Sequence, residues 1–163
     1  MNAFRVVALS TETVKKVLET KSSPEYGHPA YTELAKGYGP CRHCLRTFCV
    51  GEELRTLFTC NPFSRIAPLP APGPVFIHTD GCERYDEDAG YPTDMLEYPA
   101  VMDGYDLDQR RLTQRTASGG NHEMVLSEIF DNTHVRYVMV RDHEAGCFDF
   151  RVERMEAGDE TES

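Results

Sequence analysis

Only two stretches of this 163-residue chain carry the periodicity of an amphipathic helix, and this scarcity limits the fold more than any other feature of the sequence. The first follows Ser10, a good N-cap, and has an i, i+3, i+4 apolar stripe of Val14, Val17 and Leu18. The second follows Asn121, the predicted cap, and continues to about residue 131. A chain with so few helices cannot cover a parallel sheet, which needs a helix between most strands.

Short apolar runs bounded by glycine and proline make up most of the remaining pattern and predict strands. Gly51 is expected to supply a positive φ in a hairpin that joins 45–48 to 54–58. Residues 22–40 and the proline-rich 61–74 are predicted loops, and 92–98 a short third helix. The prediction is an α+β fold with a mainly antiparallel sheet of six to eight strands and two or three helices. The other predicted strands are 4–9, 75–78, 100–116 (a pair broken near Gly104), 135–141 and 147–153.

The length of the chain fits one domain, predicted over residues 1–155, with an acidic and disordered tail over 156–163. A chain of this size buries about 70% of the surface that its unfolded form exposes. Its hydrophobic core is therefore large enough to fold without disulfides or a bound metal. On this ground no cofactor is expected, and zinc is kept as the alternative.

Charge and hydropathy limit the partners. The 27 acidic residues outnumber the 17 basic ones and leave a net charge of −10, whereas nucleic-acid binding requires basic groups to neutralise phosphates. The acids concentrate between Asp80 and Asp108, where ten of them face only Arg84; such a block is typical of a solvated face. No run of about 18 apolar residues indicates a membrane span. The expected partner is an unidentified small molecule or protein, with neither nucleic acid nor membrane.

The N-terminal residues lack the apolar core and cleavage site of a secretory signal. This predicts a cytoplasmic protein. In that compartment, the six cysteines are expected to be thiols or metal ligands.

Four residues have the composition of a zinc site. Cys41 and Cys44 form a Cys-x-x-Cys motif, and His78 and Cys82 lie four residues apart. Tetrahedral zinc takes four thiolate or imidazole ligands, so these four form a site if the strand at 75–78 lies beside the predicted hairpin of 45–48 and 54–58. The opposing interpretation is that the cysteines are small apolar core residues.

Two further interpretations use the same residue types. A cysteine nucleophile at Cys82 or Cys147, activated by a histidine such as His78 or His143, predicts an enzyme. A redox dithiol at Cys41 and Cys44 is disfavoured, because no helix N-terminus is predicted there to lower the thiol pKa. A histidine or carboxylate beside either thiol in a cleft would distinguish an enzyme from a binding protein.

An anion site is the remaining candidate. Gly119, Gly120 and Asn121 precede the second helix, where free amides bind anions, and Arg111 lies upstream. The opposing interpretation is an ordinary turn before a capped helix.

Three blocks of the sequence resemble a known family. They are 39–46 followed by Gly51 and Glu52, 73–78 followed by Cys82 and Tyr85, and 146–152. Their order and spacing identify the chain as similar, over about residues 4 to 154, to the family named domain of unknown function 1203. The resemblance implies a small, standalone, cytoplasmic protein without an established activity. We therefore expect a cytosolic domain that binds a small ligand, a metal or a partner, with a cysteine-dependent enzyme as the alternative.

Overall fold

The structure, a computed structural model, describes residues 4–24, 26–37, 39–60, 73–144 and 147–155. It has two α-helices and eight strands in two antiparallel sheets, which confirms the α+β class and the predicted number of elements. The contacts divide the chain into two compact units. The first comprises Met1–Val7, Asp86–Gly146 and Phe150–Ser163, and the second comprises Ala8–Tyr85 with Cys147–Asp149. The predicted tail, 156–163, lies outside the described residues.

The first unit contains a five-stranded sheet and one helix, α2 (His122–Phe130). Apolar side chains of the sheet and of α2 are fully buried, among them Met102, Val125 and Phe150. The predicted short helix is a single 3-10 turn, Thr93–Met95. The strands are β1 (Phe4–Val7), β5 (Ala100–Tyr105), β6 (Arg111–Ala117), β7 (Tyr137–Asp142) and β8 (Phe148–Arg154), in the order β1-β8-β7-β5-β6.

The start of α2 differs from its prediction. Asn121 precedes the helix, but its side chain makes no capping hydrogen bond to the first turn. Its Oδ1 instead accepts from the backbone N–H of Ser118 at 2.8 Å. The backbone of Asn121 is not extended (φ −88°, ψ 17°), unlike the usual N-cap residue. The asparagine therefore closes the preceding turn.

Gly104 in β5 allows α2 to pack closely. A Cβ built there would lie 2.9 Å from Thr113 Cγ2 and 3.1 Å from Ile129 Cγ2. We expect Gly104→Ala to lower the free energy of unfolding by about 1–3 kcal/mol, since overpacking forces neighbours to shift. Denaturant melts of the single variant and of Gly104→Ala with Thr113→Ser test this. Because serine lacks Cγ2, the second substitution should recover part of the loss. A single variant as stable as the parent would contradict the close packing.

The second unit begins with α1 (Thr11–Thr20). As predicted, Ser10 caps it by accepting from the N–H of Thr13 at 3.2 Å, and the helix ends at Lys21 in the left-handed conformation. A three-stranded sheet follows, in the order β2 (Tyr31–Leu34), β3 (Leu54–Cys60), β4 (Gly73–His78). The buried core of this unit comprises Val14, Val17, Ala35, Cys41, Cys44, Phe48, Phe58, Val75 and Ile77.

The predicted hairpin of this unit is wrong in one strand. Residues 45–48 are not a strand, and β3 pairs instead with β2, which lies within the predicted loop 22–40. Most of β2 is exposed, so it lacks the apolar alternation that reveals a half-buried strand. Gly51 does take the predicted positive φ, 79°. Residues 61–72 of the predicted proline-rich loop lie outside the described residues.

Among the described ranges, no helix has the length and apolarity required to cross a membrane.

Candidate metal centre

The candidate centre lies in the second unit, where a tight turn over residues 41–45 meets β4. The N–H of Leu45 donates to the carbonyl of Cys41 at 2.8 Å, and Leu45 takes a positive φ of 59°. Cys41 forms a parallel bridge with Phe76 of β4, and the N–H of Arg42 donates to the Phe76 carbonyl at 2.9 Å. These backbone bonds hold both cysteines of the Cys-x-x-Cys motif against the strand that ends in His78.

Buried Arg42 anchors the same turn. Its Nη1 donates to the Pro40 carbonyl at 2.7 Å and its Nε to the Phe148 carbonyl at 2.8 Å. Its Nη2 lies 3.4 Å from Asp149 Oδ1. Both ionic side chains are 4% exposed, and the guanidinium has several acceptors, as a buried charge requires. Arg42 lies between the two cysteines, so these contacts hold the turn in place.

Cys82 reaches the turn from the other side. It follows Gly81, whose φ of 90° suits glycine far better than any other residue. The N–H of Gly81 donates to the carbonyl of His78 at 3.4 Å. The chain therefore reverses directly after β4 and brings Cys82 back beside His78.

The four residues converge. One donor atom from each of Cys41, Cys44, His78 and Cys82 lies within 4.8 Å of all the others, the only such group of three or more His, Cys, Asp or Glu within the described ranges. The two cysteines at 41 and 82 have sulfurs 3.7 Å apart, far beyond a disulfide bond of about 2.05 Å. The Cys44 sulfur is 3.5 Å from His78 Nδ1.

These distances match the edges of a zinc tetrahedron. Bonds of about 2.3 Å to sulfur and about 2.0–2.1 Å to nitrogen place two sulfurs about 3.8 Å apart and a sulfur and a nitrogen about 3.6 Å apart. The observed 3.7 and 3.5 Å agree with both values. Cys41 is fully buried, Cys44 is 8% exposed and Cys82 is half-buried. The chemistry of the donor set, three sulfurs and one imidazole, fits zinc.

A second layer of side chains orients two of the donors. Glu53 Oε2 lies 3.2 Å from His78 Nε2. Because a carboxylate only accepts, His78 carries a proton on Nε2 and turns Nδ1 toward the sulfurs. Carboxylates commonly hold metal-binding histidines in this way.

His43, between the two cysteines of the motif, holds Cys82. Its Nδ1 lies 3.2 Å from Cys82 Sγ, and its Nε2 lies 2.9 Å from Thr11 Oγ1. Burial lowers the pKa of His43, which favours a neutral ring with one proton. When metal binding makes Cys82 a thiolate, that proton lies on Nδ1, and Nε2 accepts from the Thr11 hydroxyl.

The electrostatics of the cluster favour separated charges even without a cation. Hydrogen bonds with Cys44 and Cys82 hold the pKa of Cys41 well below that of an ordinary thiol. Hydrogen bonds with Cys41 and Cys44 raise the pKa of His78 to about 10. The pKa of Cys82 is raised, chiefly by its bond with Cys41. These shifts favour a Cys41 thiolate beside a protonated His78, and a metal ion would replace the protons.

All four donors were predicted from the sequence, whereas His43 and Glu53 were not. His43 could have been predicted as a residue of the site because it lies inside the Cys-Arg-His-Cys motif. For Glu53 there is no local signal, because only the pairing of Arg55 with His78 in adjacent strands brings it near.

The other predicted site residues lie elsewhere. Cys147 is half-buried, precedes β8 and is not among the four. Arg111 begins β6 and lies 3.7 Å from Asp103, whereas Gly119 and Gly120 follow the other end of that strand. Both glycines take positive φ, as a turn requires. The anion site stays a sequence-based prediction, as does a nucleophilic Cys147.

Comparison with known proteins supports the sequence resemblance. No curated protein and no solved structure matches the chain. One family model matches residues 38–154, a range that includes all four donors as well as His43 and Glu53. With most of its length matched, the chain belongs to the family described as protein of unknown function (DUF1203).

Proposed function

We propose that this chain is a zinc-binding protein whose second unit is held together by a tetrahedral centre of Cys41, Cys44, His78 and Cys82. The observation that carries the proposal is the mutual approach of the four donor atoms to within 4.8 Å. The sequence predicted a domain that binds a small ligand, a metal or a partner. Of these three kinds of binding, the geometry of the four donors supports metal binding. The proposal includes the cytoplasmic location, where thiols stay reduced and available to zinc.

The role of the zinc in this proposal is structural. Four protein donors complete a tetrahedron and leave no position for a substrate or water, which distinguishes structural zinc sites from catalytic ones. The donors come from three places along the chain: the turn at 41–45, the end of β4 and the reversal after Gly81. A bound ion would therefore connect these three segments.

The experiment is elemental analysis of the purified full-length protein. We expect about one zinc per chain in the parent and a large loss in Cys41→Ser, because three donors bind zinc far more weakly than four. Cys49→Ser is the matched control, since Cys49 is an exposed cysteine outside the cluster, and it should keep its zinc. Cobalt substitution adds an independent readout, the intense visible absorption of a thiolate-bound tetrahedral ion. A parent that contains no metal and titrates as six free thiols would refute the proposal.

One observation favours a second candidate, a cysteine-dependent enzyme. Thr11, His43 and Cys82 form a chain of contacts of 2.9 and 3.2 Å, the order of orienting group, base and nucleophile found in such enzymes. The base is then His43 rather than the His78 expected from the sequence. The cavity of about 160 Å³ in this unit, between α1 and the sheet, is lined by none of these three residues. Metal-free parent protein in which iodoacetamide modifies Cys82 fastest, and more slowly in His43→Gln, would support this candidate.

A further inference from the structure

We propose that Cys82 is a site of oxidation by hydroperoxides, and that its oxidation joins it to Cys41 and releases the zinc. The inference rests on the zinc centre proposed above. In addition to stabilising the second unit, the centre would then react with an oxidant and release its metal.

Cys82 differs from the other two cysteines of the centre in its exposure to solvent. Cys41 has no exposed surface and Cys44 is 8% exposed, whereas Cys82 is half-buried on the loop that follows Gly81. Oxidation of cysteine follows its thiolate character and its exposure. Zinc keeps all three sulfurs as thiolates, so exposure decides which of them a small oxidant meets first.

The Cys41 sulfur is the resolving partner in direct contact with Cys82, although the Cys44 sulfur also lies within 4.8 Å of it. The Cys41 sulfur lies 3.7 Å from the Cys82 sulfur, so a displacement of about 1.6 Å forms a bond of about 2.05 Å. The Cys44 sulfur faces His78 Nδ1 at 3.5 Å. Cys41 is therefore placed to resolve an oxidised Cys82.

The chemistry balances with hydrogen peroxide as the oxidant. The Cys82 thiolate attacks one peroxide oxygen, the O–O bond breaks, and the departing hydroxide takes up a proton to become water. The Cys41 thiolate then attacks the sulfenic sulfur of Cys82, so that an S–S bond forms as the S–O bond breaks. The second hydroxide also takes up a proton. Two thiolates, one peroxide and two protons give one disulfide and two waters, while the zinc stays divalent and keeps only Cys44 and His78 as ligands.

The test uses zinc-loaded full-length protein treated with limiting hydrogen peroxide. Zinc release is followed with a colorimetric chelator, and disulfides are mapped by mass spectrometry after rapid alkylation. We expect one Cys41–Cys82 disulfide for each zinc released, and recovery of the centre after reduction in the presence of zinc. A first disulfide between Cys41 and Cys44, or zinc retained while Cys49 and Cys147 oxidise, would overturn the inference.

Ligand exchange supplies the test variant, since histidine also binds zinc. Cys82→His removes the proposed reactive sulfur, and we expect its zinc release to be about tenfold slower or more, by loss of the only partly exposed thiolate among the ligands. Cys49→Ser keeps all four ligands and both reacting sulfurs and should release zinc at close to the parent rate. Equal rates in the two variants would refute the assignment. If either variant fails to hold zinc, the disulfide map of the parent decides alone. A parent that never binds zinc refutes the proposed function, whereas a zinc-loaded parent with a different disulfide refutes only this inference.

Discussion

Removal of zinc with excess chelator is expected to lower the melting temperature of the full-length protein by about 10 °C. A ligand present at about 1,000 times its dissociation constant stabilises the folded state by about 4 kcal/mol. In a chain of this length each kcal/mol shifts the melting temperature by about 2–4 °C. The effect is large because Cys41 and Cys44 lie in the core of the second unit. Without the metal, their sulfur atoms stay buried and have only weaker hydrogen bonds in place of bonds to zinc.

Two controls make this measurement specific. Cys41→Ser should melt near the temperature of the chelated parent and should not respond further to chelator, since both lack the metal. Cys49→Ser should respond as the parent does. Zinc added back in excess should restore the parent melt. A parent melt that chelator leaves unchanged would mean that the first unit's core and the thiol cluster stabilise the chain without metal.

The substitution Phe150→Asp is expected to lower the free energy of unfolding by about 4 kcal/mol or more. Phe150 in β8 has no exposed surface, and its ring contacts that of Tyr91 edge-on with centroids 5.2 Å apart. Loss of a buried phenyl ring alone costs about 3–5 kcal/mol. Aspartate adds the cost of burying a charge.

Thermal melts of the variant, the parent and Phe150→Leu test this prediction. The leucine variant keeps an apolar side chain, and we expect it to cost less than the aspartate by about 2 kcal/mol or more. The leucine variant reports the cost of losing the ring while the position stays apolar. An aspartate variant that melts within about 2 °C of the parent would show that position 150 is not a core position.

Local signals in the sequence predicted the elements that depend on local physics. Ser10 caps α1 as expected because its hydroxyl satisfies an amide three residues away. The positive φ of Gly51 follows from the absence of a side chain. Val138, Val140 and Phe150 are buried within segments that were predicted as strands.

The pairing of strands was harder to predict. The exposed strand β2 has no alternating pattern, so the sequence predicted a loop there and paired β3 with 45–48. The register of a strand follows from the face it buries. A strand that buries few side chains has no apolar alternation from which its position or register can be predicted. The division into a five-stranded and a three-stranded sheet depends on the same long-range choices.

For the candidate site, the sequence by itself determined the four donor residues and their chemistry: a Cys-x-x-Cys motif, a histidine and a fourth cysteine of the types that zinc prefers. Tertiary structure decided whether they meet. The bridge between Cys41 and Phe76 brings residues separated by more than thirty positions together, and spacing alone does not encode that contact. The second layer, with Glu53 on His78 and His43 on Cys82, likewise exists only after β3, β4 and the turn have assembled, because a hydrogen bond requires its two groups within about 3 Å of each other.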